Sequence, residues 1–311
     1  MDVIHNIEMM RYEPRTVLTI GTFDGVHLGH QKILQSAVER AKNLATRSVV
    51  VTFDPHPREI VGKGPVEHLS TLDERLGYLE QIGIDETLVI DFTAEFSQTT
   101  AVSFYENYLV KKIGVCEVVI GHDHFFGRNR EGSIEVLQQI GRKMGFVVTV
   151  IPGVSVSGQV VSSSLIRRSL LAGNVELAAA YLGRHYSLKS TVIAGDKRGR
   201  QLGFPTANLM YDAAKKLTPA LGVYVAKVTD GKQEHFGMLN IGVLPTFKTN
   251  GQRQVEVHLL DYEGDLYGAT LTVFFLRRLR GEQKFSSIDD LIAQLQQDRR
   301  DSVNFVSTLI H

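Results

Sequence analysis

The chain has 311 residues, 43% of them hydrophobic, a length that favours two domains. With 34 Lys and Arg against 34 Asp and Glu, no overall field draws in nucleic acid or an anionic membrane, and any anion site must be local. No run approaches the roughly 18 apolar residues of a membrane helix, and the first 16 residues lack the apolar stretch of a signal peptide, which predicts a soluble, cytoplasmic protein without nucleic-acid or membrane partners.

Through the first half, apolar runs of strand length alternate with amphipathic helical patterns. In order they are TVLTIG, GHQKILQSAVERAKNLA, SVVVTFD, LDERLGYLEQIGI, TLVIDF, SFYENYLVKKIG, CEVVIG, IEVLQQIGRKMG and FVVTVIPGV. Such alternation implies crossover connections, hence a doubly wound α/β domain with a parallel sheet and ligands at the carboxyl ends of its strands. The single cysteine, Cys116, excludes an internal disulfide and reads as a buried packing residue beside Val115 and Val118. From about Leu188 the texture changes. YSLKSTVIAG, GVYVAKVTDG, QEHFGMLNIG, QVEVHLLDY and GATLTVFFLRRL are strand-like, several separated by glycine turns, which predicts an antiparallel barrel or sandwich. A terminal helix over SSIDDLIAQLQQDRRDSVNFVSTLI closes it, its first residues serving as the cap. The boundary falls within YLGRHYSLKS, giving domains 1–183 and 184–311, with no repeat or low-complexity tract in either.

The strands of the first half end in Thr22-Phe23-Asp24-Gly25, Asp54-Pro55-His56-Pro57 and Gly121-His122-Asp123-His124, so polar residues gather on one rim. The first turn, bounded by Gly21 and Gly25, runs into a helix beginning near His27 to Gly29, whose N–H groups and positive end favour an anion. His27 and His30 share roughly one face of that first turn and can donate to phosphate oxygens, with Gly29 admitting the ligand to the backbone. A bare histidine pair also suits a solvated helix start; the glycines and the rim position favour phosphate. Ser162-Ser163-Ser164 can cap a helix starting near Leu165 and offer hydroxyls to phosphate, with Arg167 one turn in, although a plain cap and a solvated charge fit these residues equally. In GHDHFFGRNREGS, Phe125 and Phe126 could stack on a flat heterocycle or could belong to the core.

In the second half, AGDKRGRQLGFPTANL interleaves Gly195, Gly199 and Gly203 with Lys197, Arg198 and Arg200, a pattern suited to an anion but without Walker-loop spacing. After Pro205, Thr206 and Asn208 alternate on an extended segment and point the same way, offering the hard oxygen ligands that suit Mg²⁺ carrying nucleotide phosphates. In QVEVHLLDYEGDLYG, Val255, Val257 and Leu259 take one face and Glu256 and His258 the other. Glu256 is then either a solvated strand residue or a general base for a hydroxyl attacking a γ-phosphate.

The motif GTFDGVHLGHQ resembles the nucleotidylyltransferases and, within them, their bacterial flavin branch; VTFDPHPREI and VSSSLIRRSL match the same branch in order, and GFPTANL closely resembles the riboflavin kinase signature. Across almost its whole length the chain is identified as a member of the bacterial bifunctional riboflavin kinase and FAD synthetase (FMN adenylyltransferase) family. The resemblance implies a Rossmann-like nucleotidylyltransferase domain that makes FAD and pyrophosphate from FMN and ATP. It also implies an antiparallel β-barrel kinase domain that makes FMN from riboflavin and ATP with Mg²⁺. By the same resemblance His27, His30, Arg167 and Glu256 are catalytic, and Thr206 and Asn208 bind the metal. ATP contacts are implied for Gly21, Phe23, Gly29, Ser163, Ser164, Gly195, Lys197, Arg198, Gly199, Arg200 and Asn240. Flavin contacts are implied for Phe53, Asp123, Phe125, Phe126, Arg280, Glu282 and Phe285. The stretch at His124 departs from the commoner family form, Asp-Phe-x-Phe-Gly, which leaves the stacking ring open between Phe125 and Phe126. Complete motif sets in both halves argue against a single active half. The Pro-Thr-Ala-Asn segment argues against a transferase for pantetheine phosphate or nicotinate mononucleotide, and retained Glu256, Thr206 and Asn208 argue against a flavin carrier without catalysis.

Overall fold

The apolar runs of the first half become β1 (Asp2–Ile4), β2 (Thr16–Ile20), β3 (Ser48–Asp54), β4 (Glu86–Asp91), β5 (Val115–Gly121) and β6 (Val147–Ile151). The helical patterns become α1 (Leu28–Asn43), α2 (Pro57–Ile60), α3 (Leu72–Ile82), α4 (Ala101–Phe104) and α5 (Ile134–Met144). This computed structural model describes all residues except Lys63, Phe126, 128–131, 196–197, 213–215, 244–252 and His311, and the side chains of Arg198, Arg200 and Ile310. The six strands pair in parallel in the order β1-β4-β3-β2-β5-β6. Every residue of β2 is buried, as both faces of such a sheet are covered. Leu18 and Ile20 pack on one face with Val49, Leu88 and Val118, while Val17 packs on the other with Ala37 and Ala41 of α1. Each fully buried Val, Leu or Ile contributes about 1.5–3 kcal/mol over its exposed state. The winding reverses between β2 and β5, so the crevice that takes ligands in such sheets opens at their carboxyl ends, at Gly21 and Gly121.

Three local features differ from expectation. β1 was not anticipated; three residues pairing at the sheet edge are too short to show a period. The helix expected over SFYENYLVKKIG starts as α4 but continues from Tyr105 to Ile113 as a π-helix, ending where the Gly114 N–H reaches the Leu109 carbonyl at 3.0 Å. Cys116 is only partly buried: near the amino end of β5, its Sγ donates to the Arg15 carbonyl at 2.8 Å.

A two-stranded ribbon, β7 (Ser155–Val156) and β8 (Gln159–Val160), precedes α6 (Ser163–Leu171) and α7 (Val175–Leu182). There follow β9 (Ser187–Ile193), α8 (Arg198–Gln201), β10 (Ala207–Met210), β11 (Gly222–Thr229), β12 (Glu234–Val243), β13 (Arg253–Leu259), β14 (Thr270–Arg280) and α9 (Ile288–Ile310). The strands close into an antiparallel barrel in the order β10-β13-β12-β11-β14-β9, which resolves barrel against sandwich because β9 pairs with both β10 and β14. Leu239, Ile241, Val255, Val257, Val273 and Phe275 are buried in it. Ser287 caps α9 by accepting the Asp290 N–H at 3.1 Å. By internal contacts the chain forms two compact units, Met1–Ser163 and Ser164–His311, so α7 and nearly all of α6 group with the barrel.

Candidate active sites

In the first unit, a cleft of about 1040 Å³ lies over the crevice. It is lined by Gly21, Phe23, His30, Phe53, Asp123 and Phe125, all expected from the sequence. Its floor is the turn between β2 and α1, where Phe23 (φ +48°), Gly25 (φ +81°) and Val26 (φ +36°) take left-handed conformations. For a non-glycine residue such a conformation costs on the order of 1–3 kcal/mol. The surroundings hold it in place. Phe23 and Val26 are buried with Leu34, Val38 and Leu79, Gln31 donates to the Val26 carbonyl at 2.9 Å, and the Asp24 carboxylate accepts the N–H groups of Leu69 at 2.9 Å and Ser70 at 3.0 Å.

This turn brings the two histidines together. His27 is the N-cap of α1, its Nδ1 accepting the His30 N–H at 3.3 Å. That bond places the ring proton of His27 on Nε2. The two rings stack with centroids 3.6 Å apart, and Phe23 meets His30 edge-on at 5.2 Å. His30 Nδ1 is buried without a hydrogen-bond partner among the described residues. Burial first, then the charges of His27 and Arg75, push the His30 pKa well below the ordinary imidazole value. A stacked imidazole pair at a helix amino end, one ring with an unsatisfied nitrogen, offers polar groups to an anion. A Cβ added to Gly29 would meet the His27 ring at 3.2 Å, which explains glycine there. Ser163 donates to the Asp24 carbonyl at 3.0 Å, anchoring the start of α6 to the same turn. Ser164 is exposed and Arg167 partly buried on α6, both within the second unit.

In the barrel, pairing places Asn208 of β10 opposite Glu256 of β13, and Glu256 opposite Asn240 of β12. Three expected residues thus form one row across three strands. Thr206, just before β10, donates from Oγ1 to Glu256 Oε2 at 3.0 Å. Asn208 is 7% exposed, and Gln254 Nε2 donates to its Oδ1. A Cβ on Gly195 would stand 1.9 Å from Asn208 Nδ2, and one on Gly199 2.3 Å from the Phe204 carbonyl oxygen and 3.4 Å from Thr206 Oγ1. Bare backbone at these two glycines is what lets the Thr206–Asn208 strand lie where it does. Glu282 and Asn240 converge over Gly242, whose added Cβ would lie 3.4 Å from the carboxylate and 3.3 Å from the amide. Arg280 binds the carboxylate of buried Asp298 through Nε and Nη2 at 2.8 to 3.1 Å, and its Nη1 donates to the Gly281 carbonyl at 3.2 Å, so it fastens β14 to α9. Phe285 lies against that guanidinium at 5.7 Å. Phe126 and Lys197, and the side chains of Arg198 and Arg200, lie outside what the structure describes.

A family model for FAD synthetase matches residues 9–165, and one for riboflavin kinase matches 182–306. A bifunctional riboflavin kinase/FMN adenylyltransferase from Listeria monocytogenes is 37% identical, the match covering 94% of this chain and 93% of that protein. This chain belongs to the bifunctional riboflavin kinase/FMN adenylyltransferase family. The Escherichia coli family member is 38% identical over 95% of this chain and 94% of its own length. A crystal structure described as a macrolide-efflux protein from Streptococcus pneumoniae superimposes with a TM-score of 0.88 at 32% identity, covering 97% of this chain and 98% of that one. Among the described residues here no helix is long and apolar enough to cross a membrane.

For a member of this family, the sequence motifs left several cleft residues unread. Phe92 and Phe96 line the cleft and meet Phe53 at 5.5 Å and 6.3 Å, building an aromatic wall. Phe92 follows directly on β4, so the strand-end rule that singled out Gly21 would have found it. His124 also lines the cleft, its Nε2 3.4 Å from the Tyr105 hydroxyl. Gln254 carried no signal beyond sharing the face of Glu256.

Proposed function

We propose that the barrel domain, residues 184–311, transfers the γ-phosphate of ATP to riboflavin, and that the N-terminal domain, residues 1–183, joins the resulting FMN to the α-phosphate of a second ATP, releasing pyrophosphate. The observation that carries this reading is that the two motif sets close into two separate arrays, a stacked imidazole pair at a helix start and a Thr-Asn-Glu row on a barrel.

In the kinase step, Glu256 accepts the proton of the ribityl hydroxyl as its oxygen attacks the γ-phosphorus and ADP departs. Thr206 anchors Oε2 of that carboxylate, which leaves Oε1 for the proton. Thr206 Oγ1 and Asn208 Oδ1 would hold Mg²⁺, which supplies charge neutralisation on the nucleotide phosphates. The donor set fits a hard cation: a hydroxyl, an amide and a nearby carboxylate, all oxygen. Among the described residues no cluster of His, Cys, Asp and Glu offers a competing metal site.

In the adenylylation step, a phosphate oxygen of FMN attacks the α-phosphorus and pyrophosphate leaves, with no covalent enzyme intermediate. His27, His30 and the start of α1 stabilise the charge that develops on the α-phosphate and the leaving group. An arriving polyphosphate favours protonation of His30, countering its depressed pKa. Ser163, Ser164 and Arg167 are assigned to the phosphates by their motif. Phe53 with its aromatic neighbours, Asp123 and Phe125 are assigned to the isoalloxazine.

The test is product analysis after incubation with riboflavin and Mg-ATP. His30→Ala should abolish FAD and spare FMN; FAD at the wild-type rate would remove the phosphate role. Glu256→Ala should lose FMN production and keep adenylylation of supplied FMN, and equal loss of both activities would count against separate sites.

A further inference from the structure

Arg75 is a buried charge that the reaction above leaves unused. It lies on α3, 5% exposed, one turn after the reciprocal Thr71–Glu74 cap. Its Nη1 donates to the Thr22 carbonyl at 2.5 Å, its Nη2 stands 3.9 Å from Asp54 Oδ1, and its buried Nε has no hydrogen-bond partner among the described residues. One bond to a neutral carbonyl and one loose ion pair are little return for the desolvation of a guanidinium. Burial accordingly draws its pKa down, against the opposing pull of Asp24 and Asp54. A hydrophobic side chain of similar length would pack α3 against the sheet without that penalty.

What Arg75 touches is the floor of the adenylylation cleft. Thr22 stands between Gly21 and Phe23, all three line the cleft, and the Phe23 ring meets His30. The residues just before α3 hold the rest of this turn. Asp24 accepts from the N–H groups of Leu69 and Ser70, and the Ser70 hydroxyl accepts the Gly25 N–H at 2.9 Å. Segment 69–75 is therefore a mould for the left-handed turn, with Arg75 as its buried charge.

We propose that Arg75 is a positioning residue for adenylyl transfer, fixing the arc from Gly21 to His30 through the Thr22 carbonyl and setting a permanent positive charge beneath the reacting phosphates. The inference rests on the reading of this cleft as the FMN adenylylation site.

The experiment uses the full chain with Arg75→Met, Arg75→Lys and, as control, His30→Ala. The readouts are kcat and KM for FAD formation from supplied FMN, the rate of FMN formation, and Tm. Arg75→Met is expected to lower kcat for FAD about 100-fold, on the scale of losing one preorganised electrostatic contact, with the KM for FMN changed less than about three-fold. Its Tm should equal or exceed that of the wild type, because an undercompensated charge has left the interior. FMN formation should be unchanged, and Arg75→Lys should recover about ten-fold of the lost kcat. A purely structural role predicts the opposite sign for Tm. Arg75→Met with wild-type kcat overturns the proposal, as does a lowered Tm in that variant or an Arg75→Lys no better than Arg75→Met. If His30→Ala makes FAD at the wild-type rate, the cleft itself is misassigned; if His30 is essential and Arg75 is not, only the inference on Arg75 fails.

Discussion

The hydroxyl of Thr206 donates to the carboxylate of Glu256 across 3.0 Å, tying the residue before β10 to the middle of β13. The same oxygen is one proposed metal ligand, so under the proposed function a single hydroxyl would both orient the base and serve the cation. Thr206→Val keeps the shape and removes both functions, and FMN formation should fall about 100-fold. Thr206→Ser should retain activity within about ten-fold, and neither change should alter FAD formation from supplied FMN. Wild-type FMN production by Thr206→Val would refute the arrangement.

Gly195 gives a second probe of the same site. An alanine there would put its methyl 1.9 Å from the Asn208 amide nitrogen, so either the loop or the asparagine must move. Gly195→Ala should raise the Mg²⁺ concentration needed for half-maximal FMN formation and leave adenylylation intact. Gln254→Leu, which removes the donor to Asn208 Oδ1, should shift the same requirement less. An unchanged metal requirement in both would count against Asn208 as a ligand.

Stability should fall in mild acid, and His124 supplies part of the reason. Burial pushes its pKa down to about 4, with Asp123 pulling weakly the other way. Because the folded ring resists protonation that the unfolded ring accepts below about pH 6.5, stability is complete above that pH and is lost as pH falls toward the folded pKa. At pH 5 the loss from this residue amounts to at most about 2 kcal/mol. His30, also depressed, acts in the same direction. Urea midpoints at pH 7 and pH 5 should differ less in His124→Phe than in wild type, and an equal difference would dismiss this residue as the source.

Arg47 offers the contrast to Arg75. It is 7% exposed, but its Nη1 binds both oxygens of Glu86 at 2.7 Å, its Nε donates to Thr16 Oγ1 at 3.2 Å, and its Nη2 reaches the Arg11 carbonyl at 2.5 Å. This charge is compensated and lies at the amino ends of the strands, on the side of the sheet away from the cleft. Arg47→Ala should destabilise by about 3–5 kcal/mol and lower Tm, with kcat for FAD unaffected in the fraction that folds. A loss of kcat without loss of Tm would reverse the assignment.

Much of the architecture was legible because the strands of a doubly wound sheet are continuous apolar runs and their ends are marked by glycine and polar residues. Gly21, His30, Asp123 and Phe125 follow from that rule, and Asn208, Asn240 and Glu256 from two-residue alternation on strands. What escaped depends on contacts distant in sequence. Nothing near Asp24 announces that its carboxylate will be capped by Leu69 and Ser70, and nothing near Arg75 points to Thr22. The π-helix at Tyr105 escaped for another reason, since five- and four-residue hydrogen-bond steps share much the same apolar spacing. A basic residue near a motif likewise gives no sign that Asp298 will pair with Arg280.

β10 neighbours β13 and β9, not β11, so the row of Asn208, Glu256 and Asn240 comes into being only when β10 pairs with β13, far from it in sequence. Kinase turnover per molecule is thus a gauge of that pairing. In a refolding experiment, the first appearance of FMN would time the joining of that seam without any optical label.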